Sequence, residues 1–219
     1  AKLLTLAGRA DVPIGVGADT DIAWPQDYLG QWAADMPLRN YSGRVGLDGV
    51  ALMADVLSRS AEPTVIAIGP FTNLQALVQR FPEVAQRTRV YAMGGSIRKG
   101  YGDRPGAVAE YNVKTDVRAA QVALREGAFR SWFLSPLDSC GVLQLAGERY
   151  QRLLAAERGE RPPAVLAALL GSYRAWYAQC SRDATRDGGC SPGLLPYSPR
   201  NASSVLWDAL PPIAMALQA

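Results

Sequence analysis

The stretch GAVAEYNVKTD, residues 106–116, sets Glu110, Tyr111 and Asn112 side by side. An ionised carboxylate only accepts hydrogen bonds, whereas a carboxamide both donates and accepts, so the two together can grip a sugar by its hydroxyls. An ordinary surface turn uses the same residue types, and both readings stay open on these residues alone. Near the far end Trp207 and Asp208 adjoin in VLWDAL, which taken by itself reads as a core tryptophan beside a helix N-cap. The chain contains no histidine. Ser-His-Asp hydrolysis, Cys-His proteolysis and every His-ligated metal site are thereby excluded. Any chemistry must come from carboxylates, carboxamides, hydroxyls and aromatic rings, with or without a hard cation.

The three cysteines, Cys140, Cys180 and Cys190, lack zinc-site spacing. Cys180 and Cys190 flank the polar run SRDATRDGG and could close a disulfide loop in an oxidising compartment, leaving Cys140 free. Localisation is accordingly left open, cytoplasmic by default and periplasmic or secreted if that disulfide forms. With 219 residues, 48% hydrophobic and 20% charged, the chain can bury a sizeable core. No apolar run is long enough to span a bilayer. The net charge is +3, and the arginines are scattered rather than striped along one element, which argues against a nucleic-acid surface.

Elements to position these residues can be read from apolar patterning. VPIGVGA (12–18), TVIAIGP (64–70) and RVYAMGG (89–95) read as buried parallel strands punctuated at their ends by Gly or Pro, and SWFLSPLD (131–138) is a fourth strand candidate. Helical patterns occupy 46–60, 72–88 and 116–127, the second capped by Thr72 or Asn73 and the third by Asp116. LLTLAGR reads as a helix end closed by Gly8. Strand–helix alternation predicts an α/β fold with an open, mainly parallel sheet flanked by helices, and 147–159 and 163–180 add helices in the C-terminal third. In such sheets ligands sit beyond the carboxyl ends of the strands, where the long Gly-rich connection from Gly94 to Glu110 falls. The whole of 1–219 reads as one domain, cut at both ends.

AIGPFTNLQALVQRFPEVAQRTRVYAMGG, followed by AVAEYNVKTDVRAAQVAL and, much later, WDALPPIAMAL, resembles the calcium-dependent nucleoside hydrolases. That family carries a G-P-L-T-N strand–helix junction, an M-G-G strand end, an A-E-[FWY]-N-x-x-x-D segment and a late [HW]-D-x-x-A turn, in this order. The resemblance implies a Rossmann-like sheet and hydrolysis of the N-glycosidic bond of ribonucleosides through an oxocarbenium-like transition state. It implies Ca²⁺ as cofactor, bound by the Asp208 carboxylate and the Thr72 carbonyl, both hard oxygen ligands. Glu110 and Asn112 would bind the ribose hydroxyls, with Met93 and Tyr111 beside the sugar. Trp207 stands where many members have His, and so resembles the purine-preferring branch. Stacking there raises the basicity of the purine and makes Trp207 the candidate catalytic residue, with Trp24, Tyr28 or Trp32 as a second aromatic wall. The expected partner is a purine nucleoside; neither nucleic acid nor membrane is expected, and homo-oligomerisation is left open.

The family's D-x-D-x-x-x-D-D metal and base motif has no match. DTDIAWPQD (19–27) imitates its opening, but the next Asp falls one position late. One carboxylate and one carbonyl are few ligands for an ion that takes about six to eight oxygens. The alternative reading is therefore a non-catalytic nucleoside-binding paralogue. Tyr173, Trp176 and Tyr177 lie at helical spacing and read as packing residues rather than base contacts.

Overall fold

The computed structural model describes residues 1–18, 29–180 and 198–218. In chain order the elements are α1 (Lys2–Leu6), β1 (Ile14–Gly15), α2 (Gly30–Ala33), β2 (Val45–Gly46), α3 (Gly49–Ser58), β3 (Thr64–Ala67), α4 (Thr72–Arg80), α5 (Pro82–Arg87) and β4 (Arg89–Met93). They continue with α6 (Tyr111–Thr115), α7 (Val117–Ala123), β5 (Ser131–Ser135), α8 (Leu137–Cys140), α9 (Gly147–Arg158), α10 (Ala164–Cys180) and α11 (Leu210–Gln218). Two compact units emerge. One combines Ala1–Ile14, Trp24–Val45 and Gln144–Leu206; the other combines Gly15–Ala23, Gly46–Leu143 and Trp207–Ala219. Among the described residues no helix is long and apolar enough to cross a membrane.

The second unit is the α/β part. Its sheet runs β3-β4-β5, all parallel, with Thr64 opposite Arg89 and Arg89 opposite Ser131. Because side chains alternate across a strand, Val90 and Ala92 of β4 face a core shared with α3, α4 and α7, in which Phe71 and Leu77 are fully buried. Tyr91 and Met93 point the other way. Tyr91 packs on Phe133 and its hydroxyl donates to Gln218 of α11 at 2.6 Å, while Met93 joins Leu137, Cys140 and Trp207. Period-2 alternation thus delivers Met93 to the opposite face from the main core. Phe71, wholly enclosed, contributes about 2–3 kcal/mol over an exposed ring.

Three local expectations are corrected. The 72–88 helix breaks at Phe81, whose φ −139°, ψ 58° lies outside the α region that a following proline disfavours; Pro82 then opens α5. Neither Thr72 nor Asn73 caps α4: Phe71 holds the N-cap position, Thr72 bonds Asp116, and Asn73 Oδ1 accepts from the Ala18 N–H at 2.8 Å. The 12–18 strand is not in the parallel sheet. Only Ile14–Gly15 is extended, paired with Val45–Gly46 in a two-stranded sheet. A side chain at Gly15 would meet the Gly49 backbone at 2.7 Å, and such close approach suits a glycine better than a long buried strand. By contrast Asp116 does cap α7, accepting from the Ala119 N–H at 2.8 Å.

The first unit is helical. Tyr150, Leu154 and Leu170 form its core with Tyr173 packed against them, which gives Tyr173 the packing role its spacing suggested. Trp32 is engaged within this unit: Lys2 sits 4.6 Å from its ring centroid, and its indole N lies against Gly171 of α10. Trp24, Tyr28, Cys190 and the run DTDIAWPQD fall outside the described residues, as does the proposed disulfide with Cys180.

Candidate active site

At the carboxyl end of β4 the chain reads Met93-Gly94-Gly95, and both glycines are needed there. Gly95 has φ +81°, and a side chain on Gly94 would meet the Phe71 ring at 3.0 Å. The turn aims the Gly95 N–H at Glu110 Oε2, 2.9 Å away. Glu110 also takes the Asn112 N–H on Oε1 at 2.8 Å and the Val113 N–H on Oε2 at 3.1 Å, so it is the N-cap of α6. Only 2% exposed, this carboxylate accepts three backbone N–H groups. A carboxylate offers about four acceptor positions, which leaves one for a ligand.

Asn112, 5% exposed, donates both amide hydrogens to Met93, one to its carbonyl at 3.0 Å and one to Sδ at 3.3 Å. The Met93 carbonyl fixes the amide orientation, since a flipped amide would set oxygen against oxygen. Its Oδ1 has no partner among the described residues. Asn112 therefore presents an acceptor only, which corrects the expectation that it both donates and accepts. Tyr111 is the outlier: it opens α6, is 45% exposed, and engages the corner through its N–H.

That N–H donates at 2.8 Å to the hydroxyl of Tyr101, which lies at the tip of the Gly94–Glu110 connection. The connection folds back on itself through Gly100 N–H to the Arg104 carbonyl and Gly106 N–H to the Arg98 carbonyl. Asp138 anchors it, accepting from the Ile97 and Arg98 N–H groups at 2.8 Å each. These bonds hold the Asp138 carboxyl below its ordinary range. Tyr101 packs edge-on against Trp207, ring centroids 5.6 Å apart at 84°. Burial pushes its phenol up to about 12, and the neighbouring Glu110 adds to the effect. Burial likewise pushes the Asp208 carboxyl up to about 6, again with Glu110 adding to it, and the Cys140 thiol up to about 11. The corner thus gathers Met93, Glu110, Asn112, Trp207 and Asp208, with Tyr101 and Cys140 among them.

Thr72 opens α4. Its hydroxyl donates to Asp116 Oδ2 at 2.8 Å, tying α4 to α7. Among the described residues no three acidic, Cys or His side chains converge on a point that could hold an ion. Asp208 and one backbone carbonyl fall well short of about six to eight oxygens. The described residues do not by themselves fit a calcium site. Sequence reasoning missed Tyr101 and Asp138; the only signal for either was the length and glycine content of the connection they serve.

The chain is similar to proteins of known kind. The pyrimidine-specific ribonucleoside hydrolase RihA of Citrobacter koseri is 31% identical over 189 residues, 78% of this chain and 55% of the relative. RihA of Escherichia coli O7:K1 is 34% identical over 143 residues, 58% of this chain and 42% of the relative. The chain spans about half the length of these curated relatives. Among solved structures, the purine-preferring ribonucleoside hydrolase of Gardnerella vaginalis shares the fold with a TM-score of 0.61 at 17% identity, covering 88% of this chain and 63% of that one. An inosine-guanosine nucleoside hydrolase does so with a TM-score of 0.63 at 17% identity, covering 96% and 62%. A profile described as inosine-uridine preferring nucleoside hydrolase matches residues 1–197, and the chain belongs to that family.

Proposed function

We propose that the protein hydrolyses the N-glycosidic bond of ribonucleosides to free base and ribose, and that this chain supplies its sugar- and base-recognition corner. The observation that carries the reading is the burial of Glu110 and Asn112 on Met93, whose cluster includes Trp207, each with an acceptor free for a ligand. Sugar hydroxyls donate to those acceptors. Contacts that tighten as the ring flattens toward an oxocarbenium ion accelerate bond cleavage, while contacts equal in both states only bind. The preferred base is proposed to be a purine, stacked on the Trp207 indole; such stacking contributes about 1–3 kcal/mol per base. Ca²⁺ is proposed as the activity's cofactor, with Asp208 its carboxylate ligand in this chain and the Thr72 carbonyl a second ligand.

The test is release of reducing sugar from inosine and from uridine, with CaCl₂ and with EGTA. Faster release from inosine, abolished by EGTA, is expected, and Trp207→Ala lowers the inosine rate about tenfold or more. Faster release from uridine overturns the purine assignment. Inosine binding without turnover at any calcium concentration overturns hydrolysis and leaves a nucleoside-binding protein.

A further inference from the structure

The corner is short of donors. Glu110 offers only acceptor positions, and Asn112 has both amide hydrogens committed to Met93. A furanose hydroxyl both donates and accepts, so two acceptors satisfy half of what a buried sugar needs, and burying the rest unpaired is costly. Tyr101 is placed to supply the missing half. Its oxygen accepts from the Tyr111 N–H, and its own hydroxyl hydrogen has no acceptor among the described residues. The phenol stays protonated across the neutral range because burial raises it to about 12. Its ring braces Trp207 edge-on, so a single side chain borders both the indole and the Glu110–Asn112 turn.

We propose that Tyr101 is a specificity-determining residue whose hydroxyl donates to a ribose hydroxyl oxygen of the bound nucleoside while its ring fixes the Trp207 indole. The proposal rests on the nucleoside reading above. It predicts selectivity for ligands with the full ribose set of hydroxyls.

The experiment is titration calorimetry of the 219-residue chain and its Tyr101→Phe variant with inosine and its 2′-, 3′- and 5′-deoxy analogues. Phe keeps the edge-on packing and removes only the hydroxyl. Inosine is expected to bind Tyr101→Phe about three- to tenfold more weakly, and this penalty vanishes for the one analogue that lacks the contacted hydroxyl. A penalty equal for all four ligands means that Phe merely disturbed the Tyr111 turn, and the proposal falls; no penalty also overturns it. If wild-type chain binds no nucleoside, the nucleoside reading itself fails and takes this proposal with it. Should Tyr101→Phe not fold, ultraviolet difference spectra of the wild type decide. Inosine must shift the tyrosine band to the red, as a phenol that begins to donate does, and one deoxy analogue must fail to; identical spectra for all four overturn the proposal.

Discussion

Glu110 is both the cap of a helix and the carboxylate of the candidate site, and the two roles can be separated by substitution. In Glu110→Gln the amide nitrogen must replace one oxygen. Its least harmful place is Oε1, where it faces the Asn112 N–H, donor against donor; Oε2 keeps its two partners, Gly95 and Val113. With the group 2% exposed, the cost is about 1–3 kcal/mol of unfolding free energy, read from a urea melt, and nucleoside binding is lost as well. A variant as stable as wild type would mean that the cap bonds count for little. Glu110 and Asn112 were visible through the family resemblance, since their types and spacing alone also suit a surface turn. What stayed hidden was orientation. That Asn112 turns both hydrogens to Met93 depends on a backbone carbonyl nineteen positions away, and no local pattern encodes it. Tyr101 was hidden for a related reason: an aromatic in a Gly-rich loop has no periodicity to assign it a face.

The connection between β4 and α6 shows how elements, rather than single residues, set the site. It is stapled at its base by four bonds to the β5–α8 junction: Gly94 N–H to the Ser135 carbonyl, Leu137 N–H to the Gly95 carbonyl, and the Ile97 and Arg98 N–H groups to the Asp138 carboxylate. Asp138→Asn can satisfy only one of the last two N–H groups. Amide exchange at Ile97 or Arg98 is expected to quicken severalfold, while exchange in β4 is unchanged; unchanged exchange at both loop amides would show the staple to be idle. The same contact makes a pH prediction. The folded-state pKa of Asp138 is depressed below 3.8 by those N–H groups, so its contribution is complete above the ordinary carboxylate range and lost as pH falls through the lower folded value. Protection of Ile97 and Arg98 should therefore persist at pH 5 and collapse only in strong acid, below about pH 4. At this scale the strands β3, β4 and β5 were legible from apolar runs and the cap of α7 from Asp116, whereas the cap of α4 was not. The break at Phe81–Pro82 was legible in principle, since proline restrains the residue before it. The fate of VPIGVGA was not: whether an apolar run with two glycines enters a sheet depends on what approaches it, here the backbone of Gly49.

The partition of the chain into two units has no counterpart in composition, because each unit is gathered from stretches far apart in sequence. The alternation of strands and helices announced the α/β unit, yet nothing local announces that 144–206 joins the first residues instead of the sheet. This bears on the metal. The Asp208 carboxylate belongs to the sheet unit, and among the described residues no group of three His, Cys, Asp or Glu side chains forms there. Calcium titrated into the 219-residue chain is therefore expected to bind no tighter than about millimolar, in the range of sparsely charged sites, and Asp208→Asn is expected to abolish what binding there is. Nucleoside binding, proposed above to draw on Glu110, Asn112, Tyr101 and Trp207, should then be indifferent to EGTA even where hydrolysis is not. Micromolar calcium binding would contradict this and would direct attention to carboxylates outside the described residues, Asp19, Asp21 and Asp27 first. The variants Asp19→Asn and Asp21→Asn would then have to weaken binding as strongly as Asp208→Asn, and if they did not, the metal would be held away from the site altogether.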